Sequence, residues 1–498
     1  MSVLLVYPPV NRLCGGRPDY FPLGIGYLAA IANQAGIPTQ IYNAEFDEVG
    51  ELNLPAFWSN RYRLSNHKLF KQALEDDSHR VWMEFKGHIS EIKPRVIGFS
   101  CTSASLLSCL KMAKIAKEIC SPIVIFGGVH PTICPEETAR YENVDYIVAG
   151  NAEPIFTLLM SSLLNGKSVR SLPGVGGMMN GNFFFNNPQP EAEDLDIYPF
   201  PDREALIDYE KQKKYLGAII ASRGCPFQCT FCSGASLTKR RVRYRHVNEI
   251  VREMNHLKNK YGMGNLYFYD DAFGINKFKI QELCKEIRSE CPGIMWAAFV
   301  RADTLDEETL NIMRDSGCVS LGVGVESGST NTLTRIKKGY TREQALTGIE
   351  MIKKAGISVI INIMIGFPFE TSKDIRESIS LIKKLHVLTN INTFTPYPQT
   401  ELYEECVRRG LIKGTLDWAT ISQHSPVNEF ISEVSSEEYR ELLDEMLDVA
   451  DRINRRCAST SYKYLSYMRR VYAENDKNAI RFGIVVAGKV KKRIRDVF

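Results

Sequence analysis

The chain has 498 residues, 44% hydrophobic and 24% charged, with Lys+Arg 62 against Asp+Glu 58 and a net charge of +4. That balance excludes a disordered or low-complexity protein and offers no overall attraction to nucleic acid, while the length suits two or three domains. Residues 1–7 lack the basic region and length of a signal peptide, and no apolar run approaches the roughly 20 residues that span a bilayer, so the expectation is a cytoplasmic protein with no membrane partner.

In chain order, Val3 to Tyr7 reads as a strand, Leu23 to Ala35 as a helix and Pro38 to Tyr42 as a strand. A long polar helical insertion follows, then a buried strand at Arg95 to Ser100, a helix at Leu106 to Cys120 and a strand at Ile123 to Phe126. Pro135 to Tyr141 is helical and Tyr146 to Ala149 a last strand. The strands are too apolar to have one wet face, which predicts a doubly wound α/β sheet with ligands beyond the strands' carboxyl ends. Those ends carry Pro8-Pro9, Ser100-Cys101-Thr102-Ser103, Gly127-Gly128 and Gly150. Glycine lets backbone approach a bulky ligand and hydroxyls offer hydrogen bonds, although glycines also simply close turns.

Residues 166–215 read as a connector, with hairpin and turn chemistry from Gly181 to Pro190 and a stiff Pro199-Phe200-Pro201. The first domain is therefore 1–165. Six strand-then-helix units follow over 216–400, with strands at Leu216 to Ser222, Asn265 to Tyr269, Met295 to Val300, Val319 to Val325, Ser358 to Met364 and Ile391 to Thr395. The helices between them, at about 246–261, 276–290, 306–317, 341–355 and 371–386, are amphipathic. Six parallel units make a partial barrel, too few for eight strands, with working residues on the loops after the strands. Residues 401–498 read as mainly helical and charged, ending in a basic helix.

Directly after the first barrel strand stands Arg223-Gly224-Cys225-Pro226-Phe227-Gln228-Cys229-Thr230-Phe231-Cys232. Spacers of three residues and then two put three thiolates on one loop, which suits three irons of a cubane and leaves the fourth iron open. A Cys-x-x-Cys pair alone also fits a redox pair or zinc, but zinc needs a fourth ligand and no further Cys or His follows until His246. The other cysteines are scattered without framework spacing, as in reduced buried thiols.

This triplet at the head of a six-unit βα repeat resembles the radical S-adenosylmethionine superfamily. The resemblance implies a [4Fe–4S] cluster held by Cys225, Cys229 and Cys232, with S-adenosylmethionine chelating the open iron and cleaved to a 5′-deoxyadenosyl radical. Phe231 fits the aromatic position common between the last two cysteines. By the same likeness, Asp270 or Asp271 would face the amino group of S-adenosylmethionine, unless either caps a helix. Arg301 would pair with its carboxylate, or else with Asp303 or Asp306. Glu326 and Ser327 resemble a ribose-contacting loop, and Gly366-Phe367-Pro368-Phe369-Glu370-Thr371 the element supporting the adenine. Pro396-Tyr397-Pro398-Gln399-Thr400 resembles the turn after the sixth strand, with Gln399 in place of the usual glycine.

The first segment, with Tyr7-Pro8-Pro9, Gly127-Gly128-Val129-His130-Pro131 and Gly150-Asn151-Ala152-Glu153, is similar to the Rossmann-like domain of the cobalamin-binding subfamily. That likeness implies a corrinoid between the two domains with Ser100, Thr102, Gly127, Gly128 and Gly150 as cobalamin contacts. The subfamily usually reads Gly-Glu-Gly-Glu where this chain has Gly-Asn-Ala-Glu. His130 is a cobalt-ligand candidate by residue type, but the Asp-x-His-x-x-Gly motif of methionine-synthase-like proteins is absent, so the expected role is to order its loop or the nucleotide tail. The implied activity is methyl transfer from methylcobalamin to a small-molecule substrate radical, or alternatively rearrangement or ring formation with the same cofactors, or corrinoid binding without turnover. Flavodoxin or ferredoxin is the implied electron donor.

Overall fold

The computed structural model describes residues 3–16, 21–47, 59–427 and 430–460; the expected C-terminal basic helix lies outside them. A seven-stranded sheet comes first, in the order β2-β1-β3-β4-β5-β6-β7. Its parallel part is β1 (Val3–Tyr7), β2 (Thr39–Asn43), β3 (Val96–Ser100), β4 (Ile123–Gly127) and β5 (Tyr146–Val148). Helices cover both faces, so β1 reads Val-Leu-Leu-Val with four buried side chains in a row. The chain reverses direction across the sheet at β1 and β3, the kind of switch point where such sheets bind ligands.

The presumed connector is partly sheet. β6 (Val175–Met179) pairs antiparallel with β5 and with β7 (Asn182–Phe185). Their two-residue turn, Asn180-Gly181, has φ of 51° and 80°, the left-handed pair that matches the twist of a tight hairpin. The first domain therefore extends beyond residue 165.

The second sheet is the partial barrel, in the order β15-β14-β13-β12-β11-β8, all parallel. Its strands are β8 (Ala218–Ile219), β11 (Asn265–Phe273), β12 (Met295–Val300), β13 (Cys318–Glu326), β14 (Ser358–Ile365) and β15 (Leu388–Thr393). The short ribbon β9 (Ser222–Arg223) and β10 (Arg243–Tyr244) closes the first unit. β11 is longer than its expected extent and takes Asp270 and Asp271 into the strand, with the ladder to β12 broken between Phe268 and Phe273.

An open sheet leaves two edges of unpaired backbone, which must find partners when buried. At β8 the partners are arginines. Arg203 donates to the carbonyls of Leu216 (3.0 Å) and Ala218 (2.7 Å), and Arg245 to that of Ile220 (3.1 Å). Glu253, wholly buried, accepts from both guanidiniums at 3.1 and 2.6 Å, and Asp196 takes Arg245 at 2.7 Å.

At β15 the partners are amides. Asn60, on the helical insertion of the first domain, donates to Thr389 O (2.9 Å) and accepts from Ile391 N (2.8 Å), and Arg63 donates to Ile391 O. Asn454, on the C-terminal helix Ser436–Thr460, accepts from Thr389 N and donates to Thr389 O. Asp451 of the same helix accepts from Asn60 N at 2.6 Å. Both edges are thus sealed in part by segments outside the barrel, Arg203 at one and Asn60, Arg63 and Asn454 at the other. Among the described residues, no helix is long and apolar enough to cross a membrane.

Removing one partner of a buried ion pair leaves a charge uncompensated, typically at about 3–5 kcal/mol. Arg203→Met should lower the urea midpoint of the whole chain by up to a corresponding amount, because the Leu216 and Ala218 carbonyls lose their donor and Glu253 is left with Arg245 alone. An unchanged midpoint would show that the β8 edge needs no cap.

Candidate active site

The cysteine loop leaves β9 at Gly224, whose φ is +102° and where a Cβ would lie 1.9 Å from Arg241 O. Only glycine fits there. Two adjacent carboxylates root the loop. Asp271 accepts from Gly224 N (2.7 Å), while Asp270 accepts from Ala221 N (2.8 Å) and Ser222 Oγ (2.5 Å). Burial pushes Asp270 up to about 7, against those hydrogen bonds. Further along, Thr230 N donates to Ile336 O and Thr230 O accepts from Leu402 N, stitching the loop to two other barrel loops.

Cys225, Cys229 and Cys232 are free thiols, and Cys232 Sγ accepts from Gly234 N at 3.3 Å. Three thiolate donors without disulfide partners, on a loop fixed at both ends, fit three irons of a cubane. Phe231 packs toward Phe367 at 6.0 Å between ring centroids.

Above the loop lies a buried polar group. Arg301, at the end of β12, makes a fork with Asp303 (2.9 and 3.0 Å), donates to Lys338 O and lies 3.5 Å from the centroid of the Phe227 ring. Glu326 ends β13 with φ +70° and accepts from Lys338 Nζ at 2.8 Å. A Cβ on Gly324 would come within 2.5 Å of that carboxylate. Burial raises the Cys229 thiol while Lys338 and Arg301 pull it down, so both cations face the cysteine loop. Lys338 was not a candidate from sequence. In Lys337-Lys338-Gly339-Tyr340 the two lysines read alike, yet Lys337 pairs with Glu401 at the surface and only Lys338 turns inward.

Ser327 is differently placed. It is fully buried and its hydroxyl meets Ser378 Oγ (3.1 Å) and Ser329 N (3.1 Å), within the fold itself. Glu370 accepts from Gly366 N and Phe367 N, holds that turn and is pushed up to about 8 by burial. Gln399 keeps the left-handed conformation of the glycine it replaces, φ +63°, and donates from Nε2 to Ile133 O of the first domain at 2.6 Å.

Between the two sheets lies a cavity of about 400 Å³. Its lining includes apolar Leu5, Ile125, Val148, Phe156 and Met160 and polar Ser100, Ser222, Arg223 and Asp271. Gly24, Gly98, Gly127, Gly128 and Gly150 also line it. At Gly24 an added Cβ would meet nothing within 4 Å, and at Gly127 only Val148 O at 3.7 Å. Neither has a positive φ. Glycine at these two positions is therefore demanded neither by packing nor by backbone; it keeps the cavity wall flat. Gly128 is a backbone requirement, with φ +105° and a Cβ that would lie 2.9 Å from Cys101 O. Glycines with open space beside them, together with apolar and polar lining, fit a bulky macrocycle with polar substituents.

Thr102 does not line the cavity; its hydroxyl caps the short helix at Ser103–Ser105. His130 does not line it either. It is fully buried, with Nδ1 3.0 Å from Ser103 Oγ, and burial brings it down to about 4. Where Gly150-Asn151-Ala152-Glu153 departs from the family pattern, Asn151 donates to Glu191 and Glu153 pairs with Arg223 at 2.6 Å. Arg223 also lies over the Tyr27 ring at 5.0 Å, so one cation joins the cysteine loop to the first domain.

The radical SAM superfamily model matches residues 219–382, and the B12 binding domain model matches residues 72–160. The chain belongs to the cobalamin-dependent radical S-adenosylmethionine family. The two matched domains imply a [4Fe–4S] cluster, S-adenosylmethionine and cobalamin as its cofactors. It is 29% identical over 452 residues to an uncharacterized methyltransferase of Pyrococcus horikoshii, covering 89% of this chain and 91% of that one. It is 26% identical over 351 residues to the anaerobic magnesium-protoporphyrin IX monomethyl ester cyclase of Rubrivivax gelatinosus, covering 68% and 62%. The fold is similar to that of the cobalamin-dependent S-adenosylmethionine radical enzyme OxsB with aqua-cobalamin and S-adenosylmethionine bound, with TM-score 0.65, 16% identity and coverage of 100% and 80%.

Two substitutions separate the cofactors of this radical SAM enzyme. Cys229→Ala should abolish the visible absorption of the cluster and leave cobalamin binding intact. Gly127→Leu places a side chain in the cavity and should weaken cobalamin binding at least about tenfold, as for a filled ligand site, while the cluster spectrum persists. Equal loss of both cofactors in either variant would refute the separation.

Proposed function

We propose that this enzyme transfers a methyl group to a carbon of a small-molecule substrate. The observation that carries the reading is the shared wall. Arg223 and Asp271 line the cavity of the first domain and belong to the root of the cysteine loop, so the two cofactor sites are neighbours. When bound, the cluster with S-adenosylmethionine supplies a hydrogen-abstracting carbon radical and cobalamin supplies the methyl carrier.

The protein's own part is holding and exclusion. Cys225, Cys229 and Cys232 hold the cluster, and Phe231 backs the loop against Phe367. Asp270 and Asp271 hold the loop root through backbone amides and Ser222, and either carboxylate would face the amino group of S-adenosylmethionine there. Arg301, Glu326 and Lys338 set fixed charges at the barrel mouth for a carboxylate and for ribose hydroxyls. Ser100, Gly127, Gly128 and Gly150 face the corrinoid, whereas Thr102 and Ser327 act by holding their loops. The Glu153–Arg223 pair fixes the spacing of the two domains and keeps water from the wall between them.

The similarity to the cyclase favours a second reading, ring formation with the same cofactors. The two are separated by product. Reconstituted anaerobically with iron, sulfide, cobalamin, S-adenosylmethionine and reduced flavodoxin or ferredoxin as donor, the enzyme should yield both S-adenosylhomocysteine and 5′-deoxyadenosine. 5′-Deoxyadenosine and methionine without S-adenosylhomocysteine would select ring formation. Neither product with any reductant, substrate present, would leave a corrinoid-binding protein.

A further inference from the structure

His130, Cys134 and Glu137 form a second cluster of metal-ligand side chains, apart from the cysteine loop and the cavity. An imidazole nitrogen, the Cys134 sulfur and a Glu137 carboxylate oxygen all lie within 4.8 Å of one another. His130 sits on Val129–Ile133 and Glu137 on Pro135–Ala139, with Cys134 at the non-helical corner between them.

The imidazole is already oriented as metal-ligating histidines are. Its Nδ1 is 3.0 Å from Ser103 Oγ, while Nε2 is buried and has no hydrogen-bond partner among the described residues. In the tautomer in which Nδ1 donates to that hydroxyl, Nε2 carries the lone pair and is free to bind a cation. An orphaned buried nitrogen otherwise has a desolvation penalty with nothing to offset it. Glu137 has Tyr141 OH at 3.4 Å as a supporting donor. Trp418 covers the imidazole edge-on at 6.0 Å, and Gln399 donates to Ile133 O beside the corner.

We propose that His130 Nε2, Cys134 Sγ and a Glu137 oxygen bind one zinc ion, or an equivalent borderline divalent cation. Mixed imidazole, thiolate and carboxylate donors suit zinc, which tetrahedral geometry would hold with donors roughly 3.5 Å apart. Three protein ligands leave the fourth position to water. The ion would clamp the corner that the barrel loop at Gln399 grips, and so belongs to the contact between the two domains.

The test uses the holoprotein, with cluster and cobalamin loaded, because Cys225, Cys229 and Cys232 would otherwise capture zinc themselves. After equilibration with zinc and removal of the excess, elemental analysis should give one zinc per chain besides the cluster iron. Cys134→Ser and Glu137→Gln, both half-buried and near-isosteric, should each lower zinc affinity by about 10–100-fold. Zinc-edge X-ray absorption of the unaltered holoprotein is independent of variant folding, and should show one sulfur at about 2.3 Å with nitrogen and oxygen near 2.0–2.1 Å. No retained zinc, zinc unchanged in both variants, or a shell of three or more sulfurs would overturn the site.

Discussion

A six-stranded parallel sheet that does not close has two bare edges, and the rest of this protein is arranged around that constraint. Each edge presents carbonyls and amides that buried protein must satisfy, and most of their partners come from outside the six βα units. On the β8 side Arg203 comes from the linking segment and Arg245 from the chain after the cysteine loop. On the β15 side Asn60 and Arg63 come from the first domain and Asn454 from the C-terminal helix. The barrel is completed by side chains where a closed barrel would use more strands.

Those caps decide where the first domain sits. With Asn60 and Arg63 bound to one edge and the linking segment to the other, the carboxyl ends of β1, β3 and β4 are brought against β9 and β11. The cavity is the space left between them, and Arg223 bridges it to Glu153. Gln399 adds a third tie from the barrel's last loop to Ile133. Two cofactors that must exchange chemistry are held as neighbours by contacts that lie far from either.

Within the barrel mouth, the charges are held by glycine-dependent geometry. Gly324 has no side chain because the Glu326 carboxylate lies over it, and Glu326 itself takes a left-handed conformation to end β13 pointing at Lys338. Such strain in a non-glycine residue persists where surrounding contacts over-determine it, commonly at functional sites. Asp270 and Asp271 are likewise engaged with the loop root, so their first physical effect is to position the cysteines.

Most of the strands and helices were legible because they are local. Apolar runs, periodicity and glycine punctuation act over a few residues, and the cysteine spacing acts over one loop. The glycines at strand ends, the cysteine triplet and the two-domain order could therefore be read from the chain. Tertiary structure alone decided which of Lys337 and Lys338 turns inward, why Gln399 can replace glycine, that Thr102 and Ser327 serve their own loops, and that the linking segment joins the first sheet. Several of these depend on a partner far along the chain, such as Ile133 for Gln399 and Ser378 for Ser327, and no pattern within one element records what another element will place beside it.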